Sequence, residues 1–266
     1  MNELREAISE FGRLESLSKR DQWVNHIHPL VSLGLTVFYI GVVVSFGKYD
    51  LFRLIGMAIY PLALFILADL RLRECLHRLR VVLPLVMVIG LFNPLLDKTP
   101  VSIGSTILRG GWISMATLML KGIFSVLASY ILVATTSIEN LCRSLRKIHV
   151  PQIMVTQLLL TYRYISVLMN EVSRITQAYS LRAPRQKGVH FKVWGSLVGQ
   201  LLLRSMDRAQ TVYESMLLRG FDGDFKTGAV SRIRLSDLLY ALFWIAVFLL
   251  FRKFAVIFLV GSLFVK

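Results

Sequence analysis

Apolar segments of 16 to about 25 residues alternate with polar ones along most of the chain. A helix needs about 17–25 mostly apolar residues to cross the hydrocarbon core of a bilayer. Segments close to that length predict five crossings, at residues 29–46, 51–70, 81–96, within 112–136, and from 235 to at least 251. The pattern favours an all-α polytopic membrane protein with about five transmembrane helices.

The C-terminal tail leaves two topologies open. After Arg252 and Lys253 a further apolar run covers residues 254–265, which is too short for an independent crossing. We prefer one final crossing followed by an apolar tail outside, and the alternative is a tight re-entrant hairpin.

Lys121 is a cation inside the fourth apolar segment, and its role has two interpretations. A charge at membrane depth is a candidate functional group. If the crossing covers residues 116–136, however, Lys121 lies only about one and a half turns inside. Its long stem then allows the ammonium group to reach the outer interface, which is the reading we prefer.

The charged residues are few and mostly basic. The chain has 31 Lys and Arg against 16 Asp and Glu, a net charge of +15, while 55% of its residues are hydrophobic. Such apolarity excludes a disordered chain, and nucleic-acid binding does not explain it. Four arginines lie between the second and third segments, at residues 71–80, so the positive-inside rule places this connection in the cytoplasm. We therefore expect a multi-pass protein of the cell membrane with a cytoplasmic N-terminus.

This topology divides the chain into four parts. They are an N-terminal cytoplasmic segment (1–28), transmembrane helices 1–4 (29–136), a cytoplasmic part (137–234), and a final transmembrane helix with its tail (235–266). The cytoplasmic part contains 15 basic and 6 acidic residues, so it carries +9 of the net charge.

Within the cytoplasmic part, two long runs have the apolar spacing of amphipathic helices, at residues 152–183 and 189–219. Neither run is apolar enough to cross a membrane. Long amphipathic helices of this kind lie on a bilayer surface or present a face to a soluble partner.

The two runs end alike, with leucine, arginine and a small residue before a helix breaker. The triplets are Leu181, Arg182, Ala183 and Leu218, Arg219, Gly220. An arginine at a helix end can simply complement the helix dipole. Its planar guanidinium can also bond two oxygens of a carboxylate-lined groove. Repetition on successive helices favours the second use, as ATPase-coupling residues.

With these triplets, Ile27-His-Pro29 before the first segment and Gly90-Leu-Phe-Asn-Pro94 in the third, the chain resembles the transmembrane T component of energy-coupling factor (ECF) transporters, particularly its CbiQ branch. The resemblance covers nearly the whole chain. The family motif is usually Ala-Arg-Gly, so both arginines match while some flanking residues differ.

The resemblance implies a non-catalytic subunit of an ATP-driven importer. Each triplet would end a coupling helix that docks on one of two ABC ATPase subunits, which bind the ATP. The membrane helices would hold a separate substrate-binding S component. The solute would be cobalt or another transition metal ion, with a vitamin as the alternative. The chain itself would bind no cofactor and no nucleic acid.

Rival functions find little support in the sequence. His26-x-His28 and Cys75-x-His77 are the only close pairs of metal-ligand type, and each lacks a third ligand. No Asp, Glu or His lies in the interior of an apolar segment, because Asp69 and Asp237 are at segment ends. No GxxxxGK[ST] loop is present either, so neither an intramembrane enzyme nor an ATPase is indicated. A basic scaffold on anionic lipid would explain the charge but not the repeated triplets.

Overall fold

The computed structural model describes residues 22–70, 72–96, 100–103, 106–184, 186, 188–223 and 233–253, together with Gly12. Helices dominate these residues. The α-helices are α1 (Pro29–Val44), α2 (Leu51–Gly56), α3 (Ile59–Leu67), α4 (Leu72–Leu96), α5 (Gly110–Thr135), α6 (Ile138–Leu145), α7 (Gln152–Arg182), α8 (Phe191–Leu218) and α9 (Leu235–Lys253). Strands β1 (Pro100–Ile103) and β2 (Thr106–Arg109) form an antiparallel hairpin, and short 3₁₀ turns cover Trp23–His26 and Arg146–Ile148. The expectations for the N-terminal segment 1–21, apart from Gly12, and for the tail 254–265 concern residues outside this description.

Among the residues that the structure describes, two helices are long and apolar enough to cross a membrane, α5 and α9. Shorter apolar segments at Pro29–Val44, Arg53–Leu67 and Val82–Pro94 coincide with the first three predicted crossings. An α-helix satisfies all of its own backbone groups between its ends, which makes such segments compatible with lipid.

The described residues form two compact units, each with its own packing. The apolar unit comprises the described residues of Ser18–Ser137 and Ser231–Lys266, and the helix-pair unit comprises those of Met1–Leu17 and Ile138–Val230. In the apolar unit α5 packs against α1, α2, α3 and α4, and α9 packs against α1 and α2.

The second predicted crossing is not one continuous helix, because α2 and α3 are separated at Met57 and Ala58. Pro61 has no N–H, so it cannot donate to the Met57 carbonyl four residues earlier. The buried Tyr39 hydroxyl supplies that hydrogen bond instead, at 2.9 Å. The Met57 carbonyl therefore keeps a hydrogen-bond partner although the helix is interrupted there.

The ring of Tyr39 belongs to a cluster of four buried aromatic rings. The Tyr60 ring lies 4.6 Å from that of Tyr39, 4.9 Å from that of Trp244 and 5.1 Å from that of Phe248, measured between centroids. Close edge-on and tilted aromatic pairs contribute about 0.5–1.5 kcal/mol each beyond the area they bury. The cluster joins α9, the last described helix, to α1 and α3 near the start of the chain.

The helix that contains the third predicted crossing is longer than the apolar segment. The predicted crossing begins at residue 81, whereas α4 begins at Leu72 and includes most of the arginine-rich connection. Arginine and glutamate are good helix formers, so the helix continues past the point where hydropathy falls. Asn93 of α4 donates from Nδ2 to Ser114 Oγ of α5 at 3.2 Å, which supplies a polar contact between the two helices.

Lys121 is the twelfth residue of α5, deeper in the helix than the sequence-based boundary implied. Its Nζ donates to the Phe46 carbonyl at 2.6 Å and to the Val44 carbonyl at 3.0 Å. These carbonyls lie at or just beyond the C-terminal end of α1, where backbone acceptors lack partners within the helix. Lys121 thus binds the end of a neighbouring helix.

Gly56 makes a close contact that tests this packing. A Cβ atom there would lie 2.6 Å from the ring of Phe251, whereas one at Gly41 would have no neighbour within 4 Å. We expect Gly56→Ala to lower the free energy of unfolding by roughly 1–2 kcal/mol, because overpacking displaces the ring. Gly41→Ala, the matched control, should not lower it. Thermal unfolding in detergent measures both, and equal midpoints would contradict the packing described.

Candidate functional site

The helix-pair unit begins with α6, which packs against α7. Cys142 and Ser144 of α6 are buried, and burial raises the pKa of the Cys142 thiol, which therefore stays protonated at neutral pH. After the 3₁₀ turn, His149 adopts a left-handed conformation with φ 62°, and Pro151 precedes the first residue of α7. This sharp turn sets where the long helix starts.

α7 and α8 run antiparallel where they face each other. A groove of about 740 Å³ is lined by residues 153–168 of α7 and by residues 205–217 of α8. A second groove is lined by later residues of α7, 167–171, and by residues of α8 that begin at Arg204. Residues later in α7 therefore face residues earlier in α8.

One ion pair joins the two helices in this region. Arg204 Nη1 donates to Glu171 Oε1 across the helix pair. The Glu171 side chain is only 14% exposed, whereas that of Arg204 is 59% exposed. The sequence alone does not indicate this pair, because 33 residues separate Glu171 from Arg204 along the chain.

The C-terminal end of α8 is built around Gly220. Its N–H donates to the Leu217 carbonyl at 2.9 Å, and the N–H of Phe221 donates to the Met216 carbonyl at 3.0 Å. Gly220 has φ +80°, the left-handed conformation that glycine adopts without steric cost. These features define a Schellman motif, with Phe221 and Met216 lining the same groove. Arg219 is the last residue before the turn.

The end of α7 has a different backbone. Ala183 has φ −128° and donates to the Tyr179 carbonyl at 3.0 Å, and Pro184 follows. Ala183 therefore does not need the special conformation of Gly220. The resemblance between the two triplets concerns the leucine and arginine side chains and the small residue after them, not the turn.

Both triplets lie at the outer ends of the helix pair. Leu181 is 82% exposed and Leu218 is 90% exposed, and the arginines beside them are also exposed. Arg182 is 11 residues beyond Glu171 and Arg219 is 15 residues beyond Arg204, or ~17 Å and ~22 Å of helix. Because α7 and α8 run antiparallel, these distances extend in opposite directions. The structure thus separates the two arginines rather than bringing them together.

α8 presents a long apolar face. None of its 28 residues is buried, although the structure describes the whole helix. Exposed apolar side chains recur on one side at spacings of four and seven: Trp194, Val198, Leu202, Met206 and Tyr213. The charged residues of α8 lie on the other side of the helix. An apolar stripe of this length marks a surface that binds lipid or another protein.

The histidine pair of the sequence analysis is divided between two environments. His28 is buried at the start of α1, where its Nδ1 accepts a hydrogen bond from the Leu30 N–H at 3.2 Å. His26 is exposed, and its ring lies 2.9 Å from the Gln22 carbonyl. Among the described residues, no three His, Cys, Asp or Glu side chains are close enough to hold a metal ion. The side chains of Cys75 and His77 are outside the description.

Comparison with known proteins gives one family. The model of the cobalt transport protein family CbiQ matches residues 20–229. An uncharacterized protein of Methanocaldococcus jannaschii is 26% identical over 226 residues, 81% of this chain and 76% of that protein. The nickel permease LarQ of Lactiplantibacillus plantarum is 27% identical over 105 residues, 40% of this chain and 38% of that protein.

The Schellman end of α8 can be tested at Gly220. We expect Gly220→Ala to destabilise this turn by about 1 kcal/mol, because alanine resists φ +80°. Hydrogen exchange of the Phe221 amide should then quicken about fivefold. Gly199→Ala, in the middle of α8 with no atom within 4 Å of its added Cβ, should leave that exchange rate unchanged. Unaltered exchange in both variants would contradict the assigned turn.

Proposed function

Because the chain belongs to the CbiQ family of cobalt transport proteins, we propose that it is the transmembrane T component of an ECF-type ABC importer. It would transmit the conformational change of two ABC ATPase subunits to a membrane-embedded S component that binds the solute. ATP would be bound by the ATPases, and this chain would have no catalytic residue and no cofactor of its own.

The observation that carries this proposal is the position of the two arginine triplets. Each arginine ends a helix of 28 or more residues, each is exposed, and the antiparallel packing separates them. Two separate exposed ends suit two separate ATPase subunits, one for Leu181-Arg182-Ala183 and one for Leu218-Arg219-Gly220. An arginine that binds carboxylates in a groove gains charge-assisted hydrogen bonds, each worth about 1.5–3 kcal/mol.

The exposed apolar stripe of α8 supports the second half of the proposal. A subunit that couples ATPases to an S component needs an apolar surface for a membrane-embedded partner, in addition to its arginine ends. The stripe from Trp194 to Tyr213 extends over 20 residues, or ~29 Å of helix, without a charged side chain on that side. We assign this face to the S component and to the bilayer surface.

The proposed topology follows the distribution of basic residues. The N-terminal segment 1–28 and the coupling-helix domain 137–234 are cytoplasmic, with α7 and α8 as the coupling helices. Transmembrane helices 1–4 lie within 29–136, and the final crossing with its tail lies within 235–266. The +9 charge of residues 137–234 is the main support for placing that domain inside.

The proposed solute is cobalt or nickel. The family carries the description of a cobalt transport protein, and LarQ is named a nickel permease. In an importer of this design the S component selects the solute, so a vitamin is the alternative for this chain. A basic membrane-surface scaffold without a transport role is the alternative from another class.

The central test removes both terminal arginines. In proteoliposomes that contain the ATPases and the S component, Arg182→Ala with Arg219→Ala should abolish ATP-driven Co²⁺ uptake. Co-purification of the ATPases should weaken roughly tenfold or more for each lost arginine, since 1.4 kcal/mol corresponds to a factor of ten. The variant should still insert in the membrane, because both side chains are exposed.

Arg163→Ala with Arg174→Ala is the matched control, because it removes two exposed arginines from the side of α7. The coupling proposal expects this control to transport normally. If the chain were instead a membrane-surface scaffold, the two double variants should lose lipid binding equally. Normal uptake and normal co-purification after removal of Arg182 and Arg219 would refute the coupling role.

A further inference from the structure

Glu171 has two candidate partners on α8, of which the structure uses one. Its carboxylate accepts from Arg204, and among the described residues no other ion pair joins α7 to α8. The carboxylate is mostly buried, so loss of its partner would leave a charge largely shielded from water. Such a group strongly favours positions of α8 that place a guanidinium opposite it.

Arg208 is the second candidate. It lies four residues after Arg204, about one helical turn, and lines both grooves between α7 and α8. It forms no ion pair with any described residue. Arg208 therefore has no ion-pair partner within the part of the chain that the structure describes. It lies one turn from the paired Arg204, on the side of α8 that faces α7.

A shift of α8 along α7 by one helical turn would exchange Arg204 for Arg208 opposite Glu171. The sequence of α8 permits such a shift in one direction only. A shift by one turn the other way would bring Gln200, which carries no charge, opposite Glu171. The intermediate shift of three residues would bring Asp207 there, which repels a carboxylate. Only the shift that exchanges Arg204 for Arg208 keeps the Glu171 charge paired.

We propose that Glu171 is a positioning residue that gives α7 and α8 two discrete registers, one paired with Arg204 and the other with Arg208. Packed helices move between such registers by one-turn steps. The step is ~6 Å along the helix, and the eight residues between Arg182 and Phe191 are long enough to absorb it. In the second register the end of α8 with Arg219 lies ~6 Å closer to Glu171. Its use in transport rests on the proposed coupling function, in which this step changes the spacing of the two ATPase-docking ends.

Distances between spin labels in the isolated chain test the two registers without any ATPase. Labels replace the exposed Ser180 and Ser215 in a background with Cys75→Ser and Cys142→Ser. These positions lie 9 and 11 residues beyond the Glu171–Arg204 pair, so the backbone separation along antiparallel helices is ~30 Å. Pulsed electron paramagnetic resonance resolves distances in this range.

We expect the unsubstituted pair to give a main distance for the Arg204 register. Arg204→Gln should shift the main distance shorter by ~5–6 Å, because Arg208 becomes the only available partner. Arg208→Gln should keep the original distance, and Glu171→Gln should broaden the distribution, because neither register is then held. An unshifted distance in Arg204→Gln, or an unbroadened distribution in Glu171→Gln, would overturn the proposal.

Two controls separate a change of register from misfolding and from general charge effects. Labels at Ser166 and Ser180 lie on α7 alone, and their distance should be the same in every variant. Glu214→Gln removes an acid that accepts from Gln210 within α8, so it should leave the Ser180–Ser215 distance unchanged. Because all distances come from the isolated chain, the register proposal can fail while Arg182 and Arg219 still prove necessary for uptake, and the reverse is also possible.

Discussion

α7 and α8 pass each other in opposite directions, and the Glu171–Arg204 ion pair joins them where they meet. The positions of the two arginine triplets depend on this arrangement. Two helices that each end in an arginine would present both arginines on one side if they ran parallel. Because they run antiparallel, the arginines lie at opposite ends, and the same geometry leaves an apolar groove between the start of α7 and the end of α8.

The two units use different interactions for their stability. The apolar unit is held by close packing: Gly56 beside Phe251, the ring cluster around Tyr60, and a tyrosine hydroxyl that replaces the hydrogen bond proline removes. The helix-pair unit has little buried surface, and α8 has no buried residue along its described length. Long helices with one charged contact between them can change register at small cost, whereas a packed cluster of aromatic rings cannot. This contrast supports the proposed use of α7 and α8 as coupling helices.

The sequence predicts the long helices well. The expected run 152–183 corresponds to Gln152–Arg182, and 189–219 corresponds to Phe191–Leu218. Apolar spacing, Pro184 and Gly220 are local signals, so they are readable without the structure. The start of α8 is later by two residues because the His190 ring accepts a hydrogen bond from the Lys192 N–H and begins the helix there.

Interactions between distant residues could not be predicted in this way. The pairing of Glu171 with Arg204 and the bond from Tyr39 to Met57 each join separate helices, and a polarity pattern does not say which polar faces meet. The break of the second crossing depends on Pro61, but its stability depends on a hydroxyl 18 residues away from the carbonyl it binds. The backbone turns after Arg182 and Arg219 also differ, and the similar sequences of the two triplets do not indicate that difference.

In the proposed function, the two arginine ends contact two different ATPase subunits. Photo-crosslinking amino acids at the exposed positions Leu181 and Leu218 test this contact directly in the assembled transporter. Each position should form an adduct with an ATPase subunit, and a chain carrying both should capture two ATPase copies. Adducts with lipid alone, or capture of the same single copy from both positions, would contradict contact with two ATPase subunits.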